Sequence, residues 1–452
     1  MDNFFFQKII ILEAKLQENI IFNRKFYTMK NWIATCIFFA SLTVTAQTTY
    51  LHCGKLFDSK TGEIKTQQTI IVDGERIKEV KPGYLTPGQG EKLIDLKAKT
   101  VYPGFIDLHV HIESESNPQK YLDRYRLNEA DIAYDAQVFA KRTLMGGFTT
   151  VRDLGGSGVN IALRNAIKAG KVKGPRIFTA GKILSSTGGH GDPTNGNKAS
   201  IQGDPGPKEG VVNSVDDARK AVRQRYKNGA DWIKITATGG VLSVAKSGEN
   251  PQFTNEEIRV IAQTAKDYGM QVAAHAHGDE GMYRAVANGV KTIEHGTLIS
   301  QRTMQLMVQK NAYLVPTISA GKFVAEKAKI KGYYPAVIVP KAKKIGAQIQ
   351  ATFANAYKAG VPIAFGTDAG VSPHGDNGKE FGYMTEVGMP AVEAIQSATI
   401  VNAKVLEQEN NLGQLAPGFY ADIVASDQNA LENIHTLEQI SFVMKNGVVE
   451  KE

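Results

Sequence analysis

Val101-Tyr-Pro-Gly-Phe-Ile-Asp-Leu-His-Val-His111 is an apolar run that ends in two histidines one residue apart. The run predicts a buried β-strand, in which alternate side chains point to the same face. His109 and His111 therefore present two imidazoles side by side, an arrangement that suits a metal ion. In a chain with nine histidines, a single His-x-His pair is also compatible with a purely structural role.

Seven further buried runs follow this strand and alternate with helical stretches. They are Phe148–Leu154, Arg176–Ala180, Asp231–Ala237, Gln271–His275, Lys291–His295, Ala312–Ile318 and Pro362–Asp368. Several are preceded by an amphipathic segment that ends in glycine, as in 216–229, 255–269 and 341–360. Eight such units over about 270 residues predict an α/β fold of the (β/α)8 TIM-barrel type, here residues 101–405.

Short strands with hairpin turns occupy both ends of the chain. Residues 50–80 read as strands around an Asp73-Gly74 turn, and residues 412–450 contain a second hairpin around Asn446-Gly447. Each set is too small to form a core alone. We therefore predict that residues 47–100 and 406–452 pair into one small β-sandwich domain.

Residues 29–46 have the pattern of a secretory signal: one basic residue, a short apolar core and small residues up to Ala46. The apolar core is short for a membrane span, so we expect cleavage, no stable membrane anchor and a periplasmic or secreted protein. Residues 1–28 are then a non-native or dispensable extension that precedes a start at Met29. The alternative is a genuine cytoplasmic amphipathic extension.

Composition bounds the remaining functions. The 452 residues, 42% hydrophobic and 22% charged, suffice for one large and one small domain. The net charge of +8 comes from scattered Lys and Arg, so we expect no nucleic-acid partner. Removal of Cys36 with the signal leaves Cys53 alone, which excludes an intrachain disulfide and a multi-cysteine metal site. The sequence leaves open whether the chain forms a homo-oligomer.

Five of the predicted strands carry polar residues at or near their carboxyl ends. The set comprises His109 and His111 on strand one, Lys234 on strand four, His275 on strand five, His295 on strand six and Asp368 on strand eight. Individually, Lys234 is compatible with pairing to a buried carboxylate, and Asp368 with capping the next helix. Four imidazoles, a lysine and a carboxylate at one mouth of a barrel are better explained by metal ligation.

This ordered set, together with the split β-domain, resembles the amidohydrolase superfamily across essentially the whole mature chain. Five motifs are similar to its Xaa-Pro dipeptidase (prolidase) and imidazolonepropionase-related branch: 185–192, 234–240, 274–278, 293–296 and 366–370. Imidazolonepropionase itself works with one metal and lacks the lysine on strand four. Lys234 therefore favours the dipeptidase side.

The resemblance implies two divalent ions, with zinc as the leading ion and manganese, cobalt or iron as alternatives. It implies that His109, His111 and Asp368 hold one ion, that His275 and His295 hold the other, and that an N6-carboxylated Lys234 bridges them. Burial beside cations lowers a lysine pKa, which allows the amine to capture carbon dioxide. In this scheme a metal-activated hydroxide cleaves the amide, and Asp368 carries the proton to the leaving nitrogen.

Four further residues are candidates for contact with substrate. His190, in a glycine-rich loop, is a second catalytic candidate that would hydrogen-bond a substrate carbonyl or carboxylate, although it is also compatible with a solvent-facing loop. His277 lies on the same face of strand five as His275 if that strand continues. Arg152 is a candidate anion clamp or, alternatively, the partner of Asp153 in a structural ion pair. His374 would line the mouth.

These expectations converge on a hydrolase of carbon–nitrogen bonds in a small molecule. The leading prediction is a dipeptidase or carboxypeptidase that acts on Xaa-Pro-type dipeptides or N-acyl amino acids. An imidazolonepropionase-like enzyme, or another hydrolase of cyclic or small amides, is the alternative, and a catalytically silent metal-binding scaffold is a third. The sequence leaves the leaving group undefined because specificity lies in loops without a local signature.

Overall fold

A computed structural model describes residues 15–21 and 48–452. Residues 15–21 form an exposed helix, α1. The predicted signal at 29–46, with Cys36, and the rest of the predicted extension lie outside the described residues. Within the described ranges, no helix is both long enough and apolar enough to cross a membrane.

Residues 48–452 form a mixed α/β unit. Its strands are β1 (Thr49–Asp58), β2 (Glu63–Asp73), β3 (Arg76–Pro82), β4 (Lys92–Pro103), β5 (Phe105–Val110), β6 (Phe148–Asp153), β7 (Arg176–Thr179), β8 (Trp232–Thr236), β9 (Gln271–Ala276), β10 (Thr292–His295), β11 (Tyr313–Val315), β12 (Ile423–Ser426), β13 (Phe442–Lys445) and β14 (Val448–Lys451). Its helices are α2 (Lys120–Arg126), α3 (Glu129–Met145), α4 (Val159–Lys168), α5 (Ala199–Gln202), α6 (Val215–Lys227), α7 (Asn255–Asp267), α8 (Asp279–Ala287), α9 (Gln301–Lys310), α10 (Ile318–Lys327), α11 (Val339–Lys358), α12 (Lys379–Thr385), α13 (Ala391–Gln396) and α14 (Asn402–Val405). A π-helical turn (Ser397–Val401) and a 3-10 helix (Ile434–Glu438) complete the set.

Strands from both ends of the chain form one seven-stranded sheet, in the order β14-β13-β12-β4-β1-β2-β3. β12 pairs antiparallel with β4, and this pairing joins the C-terminal strands to the N-terminal ones. Both predicted hairpin turns are confirmed: Asp73 pairs with Arg76, and Asn446 and Gly447 have φ of 49° and 74°. Such left-handed values define the tight hairpin turn that Asn-Gly favours. The strands that we expect to form a sandwich are hydrogen-bonded into a single sheet.

The middle of the chain alternates parallel strands with helices. β5, β6 and β7 form one parallel sheet, and β8 to β11 form another. A backbone hydrogen bond of 2.7 Å from Asp231 to Thr179 connects β7 to the start of β8. The predicted eighth strand, 362–368, forms isolated parallel bridges instead of a continuous strand. These bridges join Ile363 to β11 and Ala369 to β5.

The stretch that begins at Val101 divides between two sheets at Gly104. Residues up to Pro103 belong to β4, whereas residues from Phe105 form β5 beside β6. Pro103 has no N–H with which to continue a ladder. A Cβ at Gly104 would overlap the Thr149 side chain, so only glycine fits this crossing. The single strand predicted here is therefore two strands, and His109 lies on the second.

The helices that flank the parallel strands bury one face each. α7 begins with a capping box in which Thr254 and Glu257 exchange hydrogen bonds, and it buries Ile258, Ile261 and Ala265. The glycines predicted to end α6, α7 and α11 adopt positive φ at 229, 269 and 360. All residues of β5, β6 and β8 are buried. These buried strands carry His109, Arg152 and Lys234.

Candidate metal centre

Six of the nine histidines in the chain line one cavity. They are His109, His111, His190, His275, His277 and His295, and they lie there with Lys234 and Asp368. These side chains come from β5, β8, β9 and β10, from the segment after α11, and from loops that follow the strands. The structure thus brings together every residue that the sequence predicts as a metal ligand.

The cluster is tight around Asp368. Its Oδ1 lies 3.6 Å from Nε2 of His109 and 3.5 Å from Nε2 of His111. Nζ of Lys234 lies 3.5 Å from the same His109 nitrogen. One ligand atom from each of His109, His295 and Asp368 falls within 4.8 Å of the others. These separations are small enough for a shared ion.

Each predicted histidine ligand has one ring nitrogen held by an oxygen atom. The pairs are His109 Nδ1 with Glu294 Oε2 (2.8 Å), His111 Nδ1 with the Gly155 carbonyl (2.8 Å), His275 Nε2 with the Gly239 carbonyl (3.1 Å) and His295 Nδ1 with Thr317 Oγ1 (2.7 Å). Carboxylate and carbonyl oxygens accept, so the first three held nitrogens carry the proton. The opposite nitrogen keeps its lone pair, as in metal-binding histidines whose orientation is set by an oxygen partner.

Burial keeps these imidazoles neutral. It lowers the pKa of His111 to about 3 and the pKa of His109, His275 and His295 well below the ordinary histidine value. Neighbouring Lys234 contributes in the same direction. Only a neutral imidazole offers a lone pair to a metal ion. The protonation state of the cluster therefore fits ligation.

Lys234 is buried, with 2% exposure. Burial lowers the pKa of its ammonium, whereas Glu294 and Asp368 act in the opposite direction from a distance. Among the described residues, no carboxylate lies within the 4.0 Å of a direct ion pair. The alternative of a simple structural ion pair therefore has no partner in this structure.

Asp368 is held in an unusual conformation. Its φ is 57°, a left-handed value that few residues other than glycine adopt. Its buried Oδ1 has no hydrogen-bond partner among the described residues. It caps no helix, so the alternative role is not observed. Burial raises the pKa of this carboxyl, and Lys234 lowers it. Strained backbone at such a position is typical of functional sites.

Two further histidines line the cavity as expected. His190 stacks on His275 with ring centroids 4.2 Å apart, and its buried Nδ1 has no partner among the described residues. It faces the cavity, not bulk solvent. Nδ1 of His277 lies 2.9 Å from Oγ1 of Thr297. Both rings are available for contact with substrate.

Two predicted substrate contacts lie elsewhere. Arg152 is fully buried, forms an ion pair of 3.0 Å with Glu294 and stacks over the Trp232 ring at 4.4 Å. It is committed to a buried pair and does not line the cavity, so its assignment as an anion clamp is corrected. The structural ion pair that the sequence offered with Asp153 is formed with Glu294 instead.

His374 is likewise outside the cavity wall. It stacks on Phe139 with centroids 4.9 Å apart, and its Nε2 lies 3.1 Å from the carbonyl of Ser114. The side chain is only 4% exposed. Its predicted role at the mouth is therefore replaced by packing between α3 and the segment after β5.

Glu294 is a buried residue beside the cluster that the sequence pattern does not single out. Its two oxygens bind His109 and Arg152, and the side chain is completely buried. The signal was present, because an acid inside an apolar strand and next to His295 needs a partner. That partner is 185 residues away along the chain, beyond the reach of local pattern.

Comparison with known proteins identifies the family of this chain. The sequence model of the amidohydrolase family matches residues 100–451. The chain belongs to the amidohydrolase family. It is therefore a hydrolase of carbon–nitrogen bonds, and the metal dependence of this family agrees with the His109, His295 and Asp368 cluster.

Three relatives of this family member are informative. A crystal structure of a Xaa-Pro dipeptidase with methionine bound in its active site is 50% identical, with a TM-score of 0.88 over 90% of this chain and 100% of the other. A prolidase in complex with N-methylphosphonate-L-proline is 33% identical, with a TM-score of 0.83 and the same coverage of both chains. Ochratoxinase from Aspergillus niger is 31% identical over 384 residues, 78% of this chain and 76% of the relative.

Proposed function

We propose that this amidohydrolase is a metal-dependent dipeptidase that cleaves Xaa-Pro-type dipeptides or related N-acyl amino acids. One observation carries the proposal: the predicted ligands His109, His111, Lys234, His275, His295 and Asp368 all meet in one cavity. Similarity at 50% identity to a Xaa-Pro dipeptidase, over its whole length, supports the substrate class. Lys234 weighs against the single-metal imidazolonepropionase alternative.

The residues present fit a pair of divalent ions. Neutral imidazoles, a free carboxylate oxygen on Asp368 and a buried unpaired lysine supply nitrogen and oxygen ligands, a set that zinc accepts. His109, His111 and Asp368 would hold one ion, and His275 and His295 the other. Lys234, carboxylated on Nζ, would contact both. A carbamate carbon resonance after exposure to labelled bicarbonate, absent in Lys234→Ala, tests this bridge.

Such ions, when bound, supply polarisation of the substrate carbonyl and lower the pKa of water. The chain then needs groups that move the proton and hold the substrate. Asp368 has an unpartnered oxygen at the centre of the cluster, so it can accept a proton from water and deliver it to the departing nitrogen. His190 and His277 line the same cavity and can hydrogen-bond the substrate carbonyl or carboxylate.

Apart from these polar groups, Thr236 and Thr317, the cavity has an apolar wall. Its side chains come from the loops after β7 and β8, from α10 and α11 and from the segment after residue 368: Ile183, Val241, Leu242, Val324, Ile345, Ile349 and Val371. Apart from Lys234, no described lysine or arginine lines it. A wall of this kind suits an apolar substrate side chain. We therefore propose that Leu-Pro is a better substrate than Asp-Pro or Lys-Pro.

The parallel segments support a (β/α)8 barrel as the frame of the site. Bridges join the segment at 363–369 to both β11 and β5, and a hydrogen bond joins Asp231, just before β8, to Thr179 of β7. In the proposed fold these links close a ring whose carboxyl-terminal ends carry the ligands. An experimental structure in which the segment is unpaired with β5 would contradict closure.

A panel of amides tests the proposed activity. The panel contains Leu-Pro, Asp-Pro, Lys-Pro, N-acetyl-leucine, imidazolonepropionate and ochratoxin, the last because similarity to ochratoxinase makes a non-peptide amide the second candidate. We expect the highest kcat/KM for Leu-Pro. Higher kcat/KM for imidazolonepropionate, or for ochratoxin, would overturn the dipeptidase proposal while leaving amide hydrolysis intact.

Export is part of the same proposal. The sequence of residues 29–46 predicts cleavage after Ala46 and a periplasmic or secreted protein. Cell fractionation and N-terminal sequencing test this expectation. A mature chain that begins at Gln47 in the exported fraction agrees with it, and an unprocessed chain confined to the cytosol contradicts it.

A further inference from the structure

The loop at 239–250, which follows β8, covers part of the cavity. It contains no helix or strand, and its ends are joined by a hydrogen bond of 3.0 Å from Gly239 to Asn250 and by a bridge between Thr238 and Pro251. Compact loops with joined ends are frequently functional. Val241 and Leu242 at its tip belong to the cavity wall.

The side chain of Lys341, on α11, reaches into the loop at 239–250. Its Nζ donates to three backbone carbonyls, those of Gly240 (3.0 Å), Ser243 (2.7 Å) and Ala245 (2.8 Å). These bonds use all three donors of the ammonium. Among the described residues the ammonium forms no ion pair, because its neighbours are carbonyl dipoles.

The loop also contacts two histidines of the site. The Gly239 carbonyl accepts the hydrogen bond from Nε2 of His275, which leaves Nδ1 of that ring for a metal. The ring of His190 packs against Gly240, where a Cβ would overlap it. Any shift of Gly239 and Gly240 therefore changes the orientation of both rings.

We propose that Lys341 is a positioning residue of the active site. Its ammonium holds the carbonyls of the 239–250 loop in one arrangement, and through Gly239 and Gly240 that arrangement orients His275 and His190. Hydrogen bonds to a charged donor are stronger than neutral ones, and buried carbonyls without a partner are costly. This role rests on the proposed function only for the choice of substrate.

Lys344 offers a matched control. It lies one helical turn along α11 and forms an ion pair with Glu249 of the same loop, but it is 54% exposed. An exposed pair contributes little to stability. Lys341→Met removes the three internal bonds, whereas Lys344→Met removes one surface bond from the same loop and helix.

Limited trypsin digestion measures how often the loop at 239–250 opens. Lys246 is an exposed cleavage site inside it, and the peptide that ends at this residue is followed by mass spectrometry. We expect cleavage at Lys246 to be about tenfold faster in Lys341→Met and unchanged in Lys344→Met, because local opening governs proteolysis. Equal rates in wild type and Lys341→Met would overturn the proposal.

Steady-state kinetics on Leu-Pro and absorption spectra of bound cobalt measure the effect of each variant on the active site. Lys341→Met should lose about 10- to 100-fold in kcat/KM, the range seen when the support of a metal ligand is removed, and its cobalt spectrum should change. Lys344→Met should match wild type in both. Faster loop cleavage with unchanged kinetics and spectrum would show that the loop is held without positioning the site, and would overturn the proposal.

A rescue separates positioning from general loss of structure. Lys341→Cys treated with 2-bromoethylamine regains an ammonium at nearly the original length, and treated wild type controls for the other cysteines. We expect restored protection at Lys246, kcat/KM and cobalt spectrum, and failure to restore any of them contradicts the role. If wild type cleaves no member of the amide panel, the proposed function fails, while proteolysis and the cobalt spectrum still decide the role of Lys341.

Discussion

Asp368 combines features that rarely occur together in one aspartate. It is buried, has a left-handed backbone, and points an unpartnered oxygen at two imidazoles. Each of these features is unfavourable for folding. Their combination is understandable if the carboxylate binds an ion and carries a proton during turnover.

Asp368→Asn should abolish most turnover without unfolding the chain. The amide keeps the size of the side chain but cannot accept the proton, so we expect kcat to fall by at least about 100-fold. Asp376→Asn is the matched control, since Asp376 forms only a surface ion pair with Lys379. Circular dichroism should be unchanged in both. Wild-type kcat in Asp368→Asn would refute the proposed proton route.

Glu294→Gln should weaken metal binding. The amide removes the charge that accepts from His109 and compensates Arg152, both of which are buried. We expect metal affinity to fall by about 10- to 100-fold and stability to fall by about 3–5 kcal/mol. Competition with a chelating dye and urea unfolding measure the two quantities.

Glu438→Gln provides the comparison for that variant. Glu438 also binds a histidine, His435, with 2.7 Å between Oε1 and Nδ1, but on the surface. Its loss should leave metal affinity unchanged. Equal metal affinity in Glu294→Gln and wild type would show that Glu294 does not orient His109 for ligation.

At the scale of elements, α10 is tied to the site through its first residues. Thr317, at the N-terminus of the helix, uses its side chain to hold His295 and caps nothing. The free N–H groups of Ile318 and Ser319 are bound instead by Glu380 of α12, at 2.8 and 2.7 Å. A carboxylate from a neighbouring helix thus supplies the missing cap.

Glu380→Gln should lower the free energy of unfolding by about 1–3 kcal/mol, because its amide turns a donor towards backbone donors. Glu386→Gln, just beyond α12, removes an exposed ion pair with Lys322 and should change it by under about 0.5 kcal/mol. Urea unfolding of both variants measures the difference. A Glu380→Gln chain as stable as wild type would exclude capping of α10 by this carboxylate.

Some elements of this molecule are readable from sequence, and others are not. Amphipathic period and terminal glycines located α6, α7 and α11 closely, because these signals are local. The division at Gly104 is not predictable in this way, because an apolar run does not reveal which sheet it joins. Likewise the contacts of Lys341 with Gly240 join positions about 100 residues apart, and no local pattern marks them.

The same contrast holds for the site. The sequence predicts that His109, Lys234, His275 and Asp368 lie together, because parallel topology brings strand ends to one side, and they line one cavity. Arg152 and His374 were misplaced because their partners, Glu294 and Phe139, are set by packing. Side-chain chemistry at strand ends is thus predictable from topology, whereas the commitment of a buried charge to a distant partner requires coordinates.

At the scale of the whole molecule, residues from strands spread across the middle of the chain share a single cavity. Ligands drawn from distant segments link metal binding to folding. Chelation should therefore lower the melting temperature, and added zinc should restore it. An unchanged melting temperature after complete metal removal would contradict this coupling.

The most direct measurement is a metal titration of chelator-treated protein, with bound zinc and Leu-Pro hydrolysis measured on the same samples. We expect negligible hydrolysis without metal and activity that rises with occupancy up to about two ions per chain. Asp368→Asn should stay inactive even at zinc concentrations that fill its weakened site. Full hydrolysis by metal-free wild type would contradict a metal-dependent amide hydrolase site in this cavity.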